Sequence, residues 1–334
     1  MKDLSLKSKS ILLISPSFFG YELAIKEKLT QMGAHVTLFD DRPSNSLVSK
    51  GLIRIHKKLM EIDTLKYYSK IICLIENQKF DIIFLLNPEA LPISFLEMCK
   101  VKWSQALYVM YMWDAIRNRK HTLDYVPLCD RVFTFDMDDA ITHHLLFKPL
   151  FYLDIYSSIR QNNHHLKYDV CFLGTLHSDR YAIAKQVKDW CTHHKLSCFF
   201  YFFMQSRVLH YFNQFKTKGV MAPMSEVSFE KLTASQILEI VTASKVILDI
   251  HHPKQTGLTM RTLETIGAGK KLITTNHKIR EYNFYREENI TVIDRNNPIR
   301  ELDLSFFLSS PKEITEQILM NYSIGSWLTD LLGE

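Results

Sequence analysis

Short runs of apolar residues alternate along this chain with longer stretches in which apolar side chains recur every three or four positions. That alternation predicts strand, helix and strand in repeated order. Residues 11–15 form the first run, residues 16–20 have turn chemistry, and residues 21–32 carry Leu23, Ile25, Leu29 and Met32 at roughly helical spacing. Gly33 is a natural helix stop, and residues 35–39 give a second strand that ends at Asp40 and Asp41. A helix that joins two parallel strands is the repeating unit of doubly wound sheets. The pattern continues with an amphipathic helix over 59–77, a buried strand over 81–86, strands over 106–112 and 131–135, and a helix over 138–146.

The polar stretch 157–167, with Gln161, Asn162 and Asn163, predicts a linker. A second series follows it: strand 168–174, helix 179–195, strand 198–203, helix 232–243, strand 245–250, helix 258–268, and strands 271–275 and 290–293. Residues 311–332 read as helical with a break at Gly325. At 334 residues the chain exceeds the usual size of one core, and two α/β halves of similar size predict two Rossmann-like domains.

Composition narrows the class. No apolar run reaches the roughly 20 residues that span a bilayer. The first residues hold only a four-residue apolar stretch, so a signal peptide is not expected. Six cysteines, at 73, 99, 129, 171, 191 and 198, form no C-x-x-C pair and sit mostly in apolar segments, which suits reduced thiols in the cytosol. The net charge of +5 is compatible with anionic small ligands or an acidic membrane surface, and it is too small to indicate nucleic acid.

Four places carry candidate chemistry. After the strand at 245–250 the chain turns at Gly257 and enters a helix with Arg261 about one turn in and Glu264 three residues further on. Free N–H groups at a helix start can hold an anion, Arg261 can add a charge-assisted bond, and a carboxylate at Glu264 can accept from a diol. The same residues also fit an amphipathic helix with a surface ion pair and a glycine cap at 267–269, and spacing leaves both readings open. The strand at 168–174 ends in Gly174 and Thr175, with Arg180 following: either an approach for an anion or an ordinary strand-to-helix turn. Asp114, after Trp113, closes the strand at 106–112, where a carboxylate can act as a base or cap the next helix. The loop before the first helix contains Phe19 and Gly20 and lacks G-x-G-x-x-G, so a dinucleotide fingerprint is absent. The adjacent histidine pairs, among them His251 and His252 before the Gly257 loop, lack a metal-ligand spacing.

Residues 255–276, Q-T-G-L-T-M-R-T-L-E-T-I-G-A-G-K-K-L-I-T-T-N, resemble the donor-site segment of bacterial lipopolysaccharide and capsule glycosyltransferases of the GT-B fold, CgeB-like ones included. The likeness is strongest over 168–295 and extends to the Trp113-Asp114 dipeptide. It implies two Rossmann-like domains facing across a cleft: an acceptor domain over 1–155, a nucleotide-sugar donor domain over 165–305, and helices over 306–334 that return to the first domain. By position, Glu264 is then the ribose ligand, and Arg261 with the Gly257 and Leu258 amides holds the diphosphate. Gly174, Thr175 and Arg180 complete the donor site, Asp114 is the base, and Phe19 and Gly20 face the acceptor.

The implied activity moves sugar from a nucleotide-sugar to a cell-surface glycan or glycolipid. It needs no metal or other cofactor and no nucleic acid, and it runs in the cytoplasm with room for peripheral contact with the inner face of the membrane. Asp136-Met137-Asp138 matches the D-x-D that holds metal in GT-A transferases, but a helix cap explains it better. The widespread E-x7-E pattern is missing, since Thr256 stands eight before Glu264, and this leaves the stereochemical outcome open. A nucleotide-sugar 2-epimerase and a noncatalytic nucleotide-binding protein are the alternatives on the same scaffold.

Overall fold

The computed structural model describes residues 6–43, 61–162, 164–216 and 222–333. The chain divides into two compact units, one made of Met1–Pro149 with Ile324–Glu334 and the other of Leu150–Ser323.

The first unit runs β1 (Ser10–Ser15), α1 (Tyr21–Gln31), β2 (His35–Asp40), α2 (Glu61–Ile75), β3 (Ile82–Leu86), α3 (Ile93–Lys102), β4 (Leu107–Met112), β5 (Arg131–Thr134), α4 (Met137–His143) and β6 (Leu146–Phe147). The strands form one parallel sheet in the order β2-β1-β3-β4-β5-β6. Parallel sheets are covered on both faces, which is why β3, Ile-Ile-Phe-Leu-Leu, is apolar throughout and buried along its length. Around it Ile14, Tyr68, Phe95 and Tyr108 close a core in which each fully buried side chain contributes about 1.5–3 kcal/mol. Residues 59 and 60, the start of the helix expected over 59–77, lie outside the described residues. The helix expected over 138–146 is shorter: His144 takes a left-handed φ of 54° and the chain turns straight into β6.

The second unit runs α5 (Asp154–Gln161), β7 (Tyr168–Thr175), α6 (Arg180–His193), β8 (Cys198–Phe203), α7 (Arg207–Lys216), β9 (Val227–Ser228), α8 (Ala234–Thr242), β10 (Ser244–Asp249), α9 (Met260–Gly267), β11 (Lys271–Thr274), β12 (Ile290–Val292), α10 (Leu304–Leu308) and α11 (Glu316–Met320). Its parallel sheet has the order β12-β11-β10-β7-β8-β9. Counted from its own first strand, that is the Rossmann order 3-2-1-4-5-6.

Three expectations need correction. The stretch 157–167, read as a linker, is helical as far as Gln161, because Tyr156 and Ile159 sit three apart on one face and pack toward α9. The C-terminal break is not at Gly325, which lies inside α12 (Ile324–Leu332). The interruption falls just before α12, where Tyr152 pairs with Ser323 as an isolated bridge and donates to the Tyr322 carbonyl at 2.9 Å. Of the helices expected to return to the first domain, only α12 belongs to that unit, while α10 and α11 stay with the second. Phe307 is buried in the second unit's core, and the Leu319 carbonyl accepts from the Tyr152 hydroxyl. In the first unit α12 buries Trp327 against Tyr111, ring centroids 4.7 Å apart, and Phe84. Arg131 and Lys148 bind the Gly333 carbonyl and Asp330.

Candidate functional site

In an open parallel sheet, ligands bind outside the carboxyl ends of the strands, where the strand order reverses. In the second unit that point lies between β7 and β10. The loops leaving those two strands carry most of the residues singled out in its sequence.

The loop from β10 into α9 is held by a compact polar network. Asp249, at the end of β10 and buried, accepts from the Thr259 and Thr262 hydroxyls at 2.6 Å each. Thr259 is also the N-cap of α9, accepting from the Thr262 N–H at 3.1 Å. Asn276, beyond β11, donates to the Thr256 and Gly257 carbonyls, so the turn at Gly257 is fastened from the neighbouring strand. The Leu258 side chain is buried beneath it.

Within α9, Glu264 is only 2% exposed and accepts from Arg261 Nη1 at 2.8 Å. The pair is therefore not a solvated surface bridge: the carboxylate is inside, with the guanidinium partly outside. Tyr156 of α5 stands beside both; burial pushes its hydroxyl up, and the Glu264 charge adds to the effect. Gly267, which ends α9, faces the Tyr152 ring so closely that an added Cβ would lie 2.5 Å from it.

On the β7 side, Gly174 has a packing reason of its own, because an added Cβ would meet the Phe172 ring at 2.4 Å. The Thr175 carbonyl accepts from Arg180 Nη1 at 3.3 Å, and Arg180 Nε donates to the Ile250 carbonyl at 2.6 Å. Arg180 thus ties the loop after β7 to the loop after β10. Burial lowers its pKa. His177, in the same loop, is brought down to about 3 by burial and by Arg180, and is neutral. Its ring lies 5.2 Å from that of His252.

Sequence reasoning missed Arg295, the residue that joins these loops. It binds both oxygens of Asp179 at 2.8 Å and donates to the His251 carbonyl at 2.5 Å. Burial alone would raise the Asp179 carboxyl, but the Arg295 ion pair outweighs it and lowers the pKa. Arg295 follows a short edge strand in a polar stretch, Asp294-Arg295-Asn296-Asn297, that carries no periodicity to mark it.

In the first unit the order reverses between β1 and β3. The loop after β1 holds Phe19 at a left-handed φ of 54° and Gly20 at 85°, with Phe18 and Phe19 exposed and Phe18 against the Trp113 ring. Ser17 and Phe18 are anchored by Glu22, and the Ser17 carbonyl accepts from Arg42. Asp114 accepts from the Ala115 N–H at 3.0 Å, from Asn118 and from Arg119 Nε at 3.2 Å. Arg119 also reaches Glu89 at 2.6 Å, so one guanidinium spans two carboxylates at the ends of neighbouring strands. Asp41, fully buried, accepts from the Glu89 and Ala90 N–H groups and from Tyr68, yet burial raises it to about 6. Glu89 and Arg119 carried no signal in sequence, since each lies in a loop without a motif, and Asp41 showed only as the close of the second strand.

Asp136 caps α4, accepting from the Asp138 and Asp139 N–H groups, so the D-x-D is a helix start. Among the described residues there is no group of three or more His, Cys, Asp or Glu arranged to hold a metal. No helix among them is long and apolar enough to cross a membrane.

These two Rossmann-like α/β units define the GT-B fold. It is shared with an alpha-glucosyltransferase in complex with UDP and a 13-mer DNA containing a central A:G mismatch, at a TM-score of 0.59 and 14% identity over 97% of this chain and 95% of that one. A glycosyltransferase from Rickettsia africae ESF-5 matches with a TM-score of 0.58 and 12% identity, over 97% and 96%. The Methanocaldococcus jannaschii UDP-GlcNAc 2-epimerase, in complex with UDP-GlcNAc and UDP, matches at 0.54 and 10%, over 97% and 99%. No protein-family model and no curated protein matches the chain by sequence. Likeness at these identities establishes the fold, and the chemistry rests on the residues.

Proposed function

We propose that the chain is a nucleotide-sugar-dependent glycosyltransferase, with the donor on the second unit and the acceptor and base on the first. The observation that carries this reading is the Glu264 carboxylate, buried on α9 about one turn beyond a capped helix start at the point where the strand order reverses. An anion at the helix N-terminus places a ribose along the helix, and a carboxylate accepts from both of its hydroxyls. Arg261, Arg180 and the Gly257 and Leu258 amides are the proposed diphosphate ligands, beside Gly174 and Thr175. Charge on the leaving diphosphate is then met by protein groups, without metal. Asp114 is the proposed base toward the acceptor hydroxyl, beside the Phe19–Gly20 loop. The proposed acceptor is a cell-surface glycan or glycolipid of the lipopolysaccharide or capsule type, reached in the cytoplasm with peripheral contact at the membrane's inner face.

The likeness to a 2-epimerase favours one competing reading, in which the same donor site serves an isomerisation. A thermal-shift screen against UDP-, GDP-, CMP- and dTDP-sugars identifies the nucleotide, since ligand at 100 times its dissociation constant stabilises the fold by about 2.7 kcal/mol. Free nucleoside diphosphate released only on adding acceptor supports transfer. Conversion of the donor alone supports epimerisation, and no stabilisation by any nucleotide-sugar overturns both.

A further inference from the structure

His251 is the first residue but one beyond β10, at the reversal point of the second sheet, and it is 7% exposed. Its Nδ1 lies 2.8 Å from the Thr275 hydroxyl and 3.2 Å from Arg295 Nη2. A guanidinium can only donate, so Nδ1 must offer a lone pair. The one proton of a neutral imidazole then sits on Nε2. Nε2 engages no other described residue and is not sealed from solvent. What remains is an N–H that meets no described residue, at the place where this fold receives a ligand.

Arg295 makes the arrangement rigid. Its Nη1 is fixed by both oxygens of Asp179 and its Nη2 by the His251 carbonyl, with the second Nη2 proton turned to His251 Nδ1. Three loops, after β7, β10 and β11, are therefore held by one side chain from beyond β12. The groups that bear electrostatically on His251 are Arg295, Asp249, His277 and Arg180. Burial first and Arg295 next bring its pKa down to about 4, which keeps the ring uncharged at neutral pH. Arg180, whose Nε and Nη1 are committed to the Ile250 and Thr175 carbonyls, brings a cation to the same loops.

We infer that His251 is a ligand-binding residue, donating an uncharged Nε2–H bond to a diphosphate oxygen of the nucleotide, and that Arg295 is the positioning residue that fixes its tautomer. This rests on the donor reading above for the ligand, but the tautomer itself does not. A neutral donor suits this position: it stabilises oxygen charge without adding a third cation beside Arg180 and Arg295, and it has no proton to lose near neutral pH.

The experiment has two arms on the full chain. Imidazole ¹⁵N shifts, with His251 assigned by its absence in His251→Phe, should show a bare Nδ1 and a protonated Nε2 at neutral pH. Arg295→Met, checked for folding by circular dichroism, should disturb that pattern and move the titration toward the ordinary histidine range. An Nδ1–H tautomer or an imidazolium at neutral pH in the unaltered chain overturns the inference. Calorimetric titrations with UDP, GDP and dTDP, each beside its nucleoside, form the second arm. His251→Phe should weaken the best diphosphate about ten- to a hundred-fold and leave the nucleoside unchanged. His251→Gln, which keeps a donor, should recover part of the loss. Equal affinity of wild type and His251→Phe for the diphosphate overturns the inference. Glu264→Ala, read on the nucleoside, separates the two readings, because a nucleoside carries no diphosphate for His251 to meet. Its failure to weaken the nucleoside sinks the donor reading while a loss in His251→Phe still stands as an anion site.

Discussion

The Arg261 guanidinium donates through Nη1 to the Glu264 carboxylate at 2.8 Å, across one turn of α9, and the carboxylate is the more deeply buried of the two. The pair stands beside the Tyr156 hydroxyl of α5. Glu264→Ala should weaken nucleoside and nucleoside diphosphate alike by roughly 1.5–3 kcal/mol, since the lost contact is to ribose. Glu264→Gln, which preserves volume, guards against reading a folding defect as lost binding. Calorimetry on protein with native circular dichroism decides it, and unchanged affinity in both variants removes the ribose role.

Asp114 shares the Arg119 guanidinium with Glu89. Asp114→Asn should reduce transfer by ~10²–10⁴-fold, the usual worth of general-base catalysis, while nucleotide affinity holds. A loss under about tenfold moves the base elsewhere, and Glu89, held by the same guanidinium, is the next residue to replace.

With Asp136 committed to capping α4, the D-x-D has a structural task. Turnover should persist in EDTA, and Asp136→Ala should cost about 0.5–2 kcal/mol of stability, the worth of a cap. Activity lost in chelator and restored by manganese would instead make Asp136 and Asp138 ligands.

Asp41 gives the first unit a pH dependence of definite sign. Its folded pKa, about 6, is above the ordinary 3.8, so the folded unit keeps a proton that the unfolded chain releases. The group's stabilising contribution is full below about pH 4 and is lost as pH rises through about 6, a change of about 3 kcal/mol. Asp41→Asn should remove this slope. Hydrogen exchange of the β1 and β3 amides at about pH 4 and about pH 7 measures it, and an identical slope in the variant places the effect in another group.

The central strands were legible because β1 and β3 are apolar along their middles, whereas the helices over Ile93–Lys102 and Arg207–Lys216 were not read from the sequence. Asp249, Thr259 and Thr262 show why site geometry was less so. They lie ten and thirteen residues apart, and only the return of α9 against β10 turns them into one network. Arg295 is harder still: its partners Asp179, His251 and Thr275 are brought to it by three different strands. The α5 helix was missed because its outward residues are polar, although Tyr156 and Ile159 bury the inner face.

The first unit is discontinuous in the chain, with Trp327 of α12 buried against Tyr111 and Phe84 of its sheet. During synthesis, therefore, β1 to β6 emerge while the residues that seal their core are still unmade. At 5–20 residues per second, translating 150–323 takes roughly ten to thirty-five seconds, during which β1 to β6 wait for α12. The ribosome would thus carry an open, apolar first half for most of that interval, and chaperone capture should concentrate there.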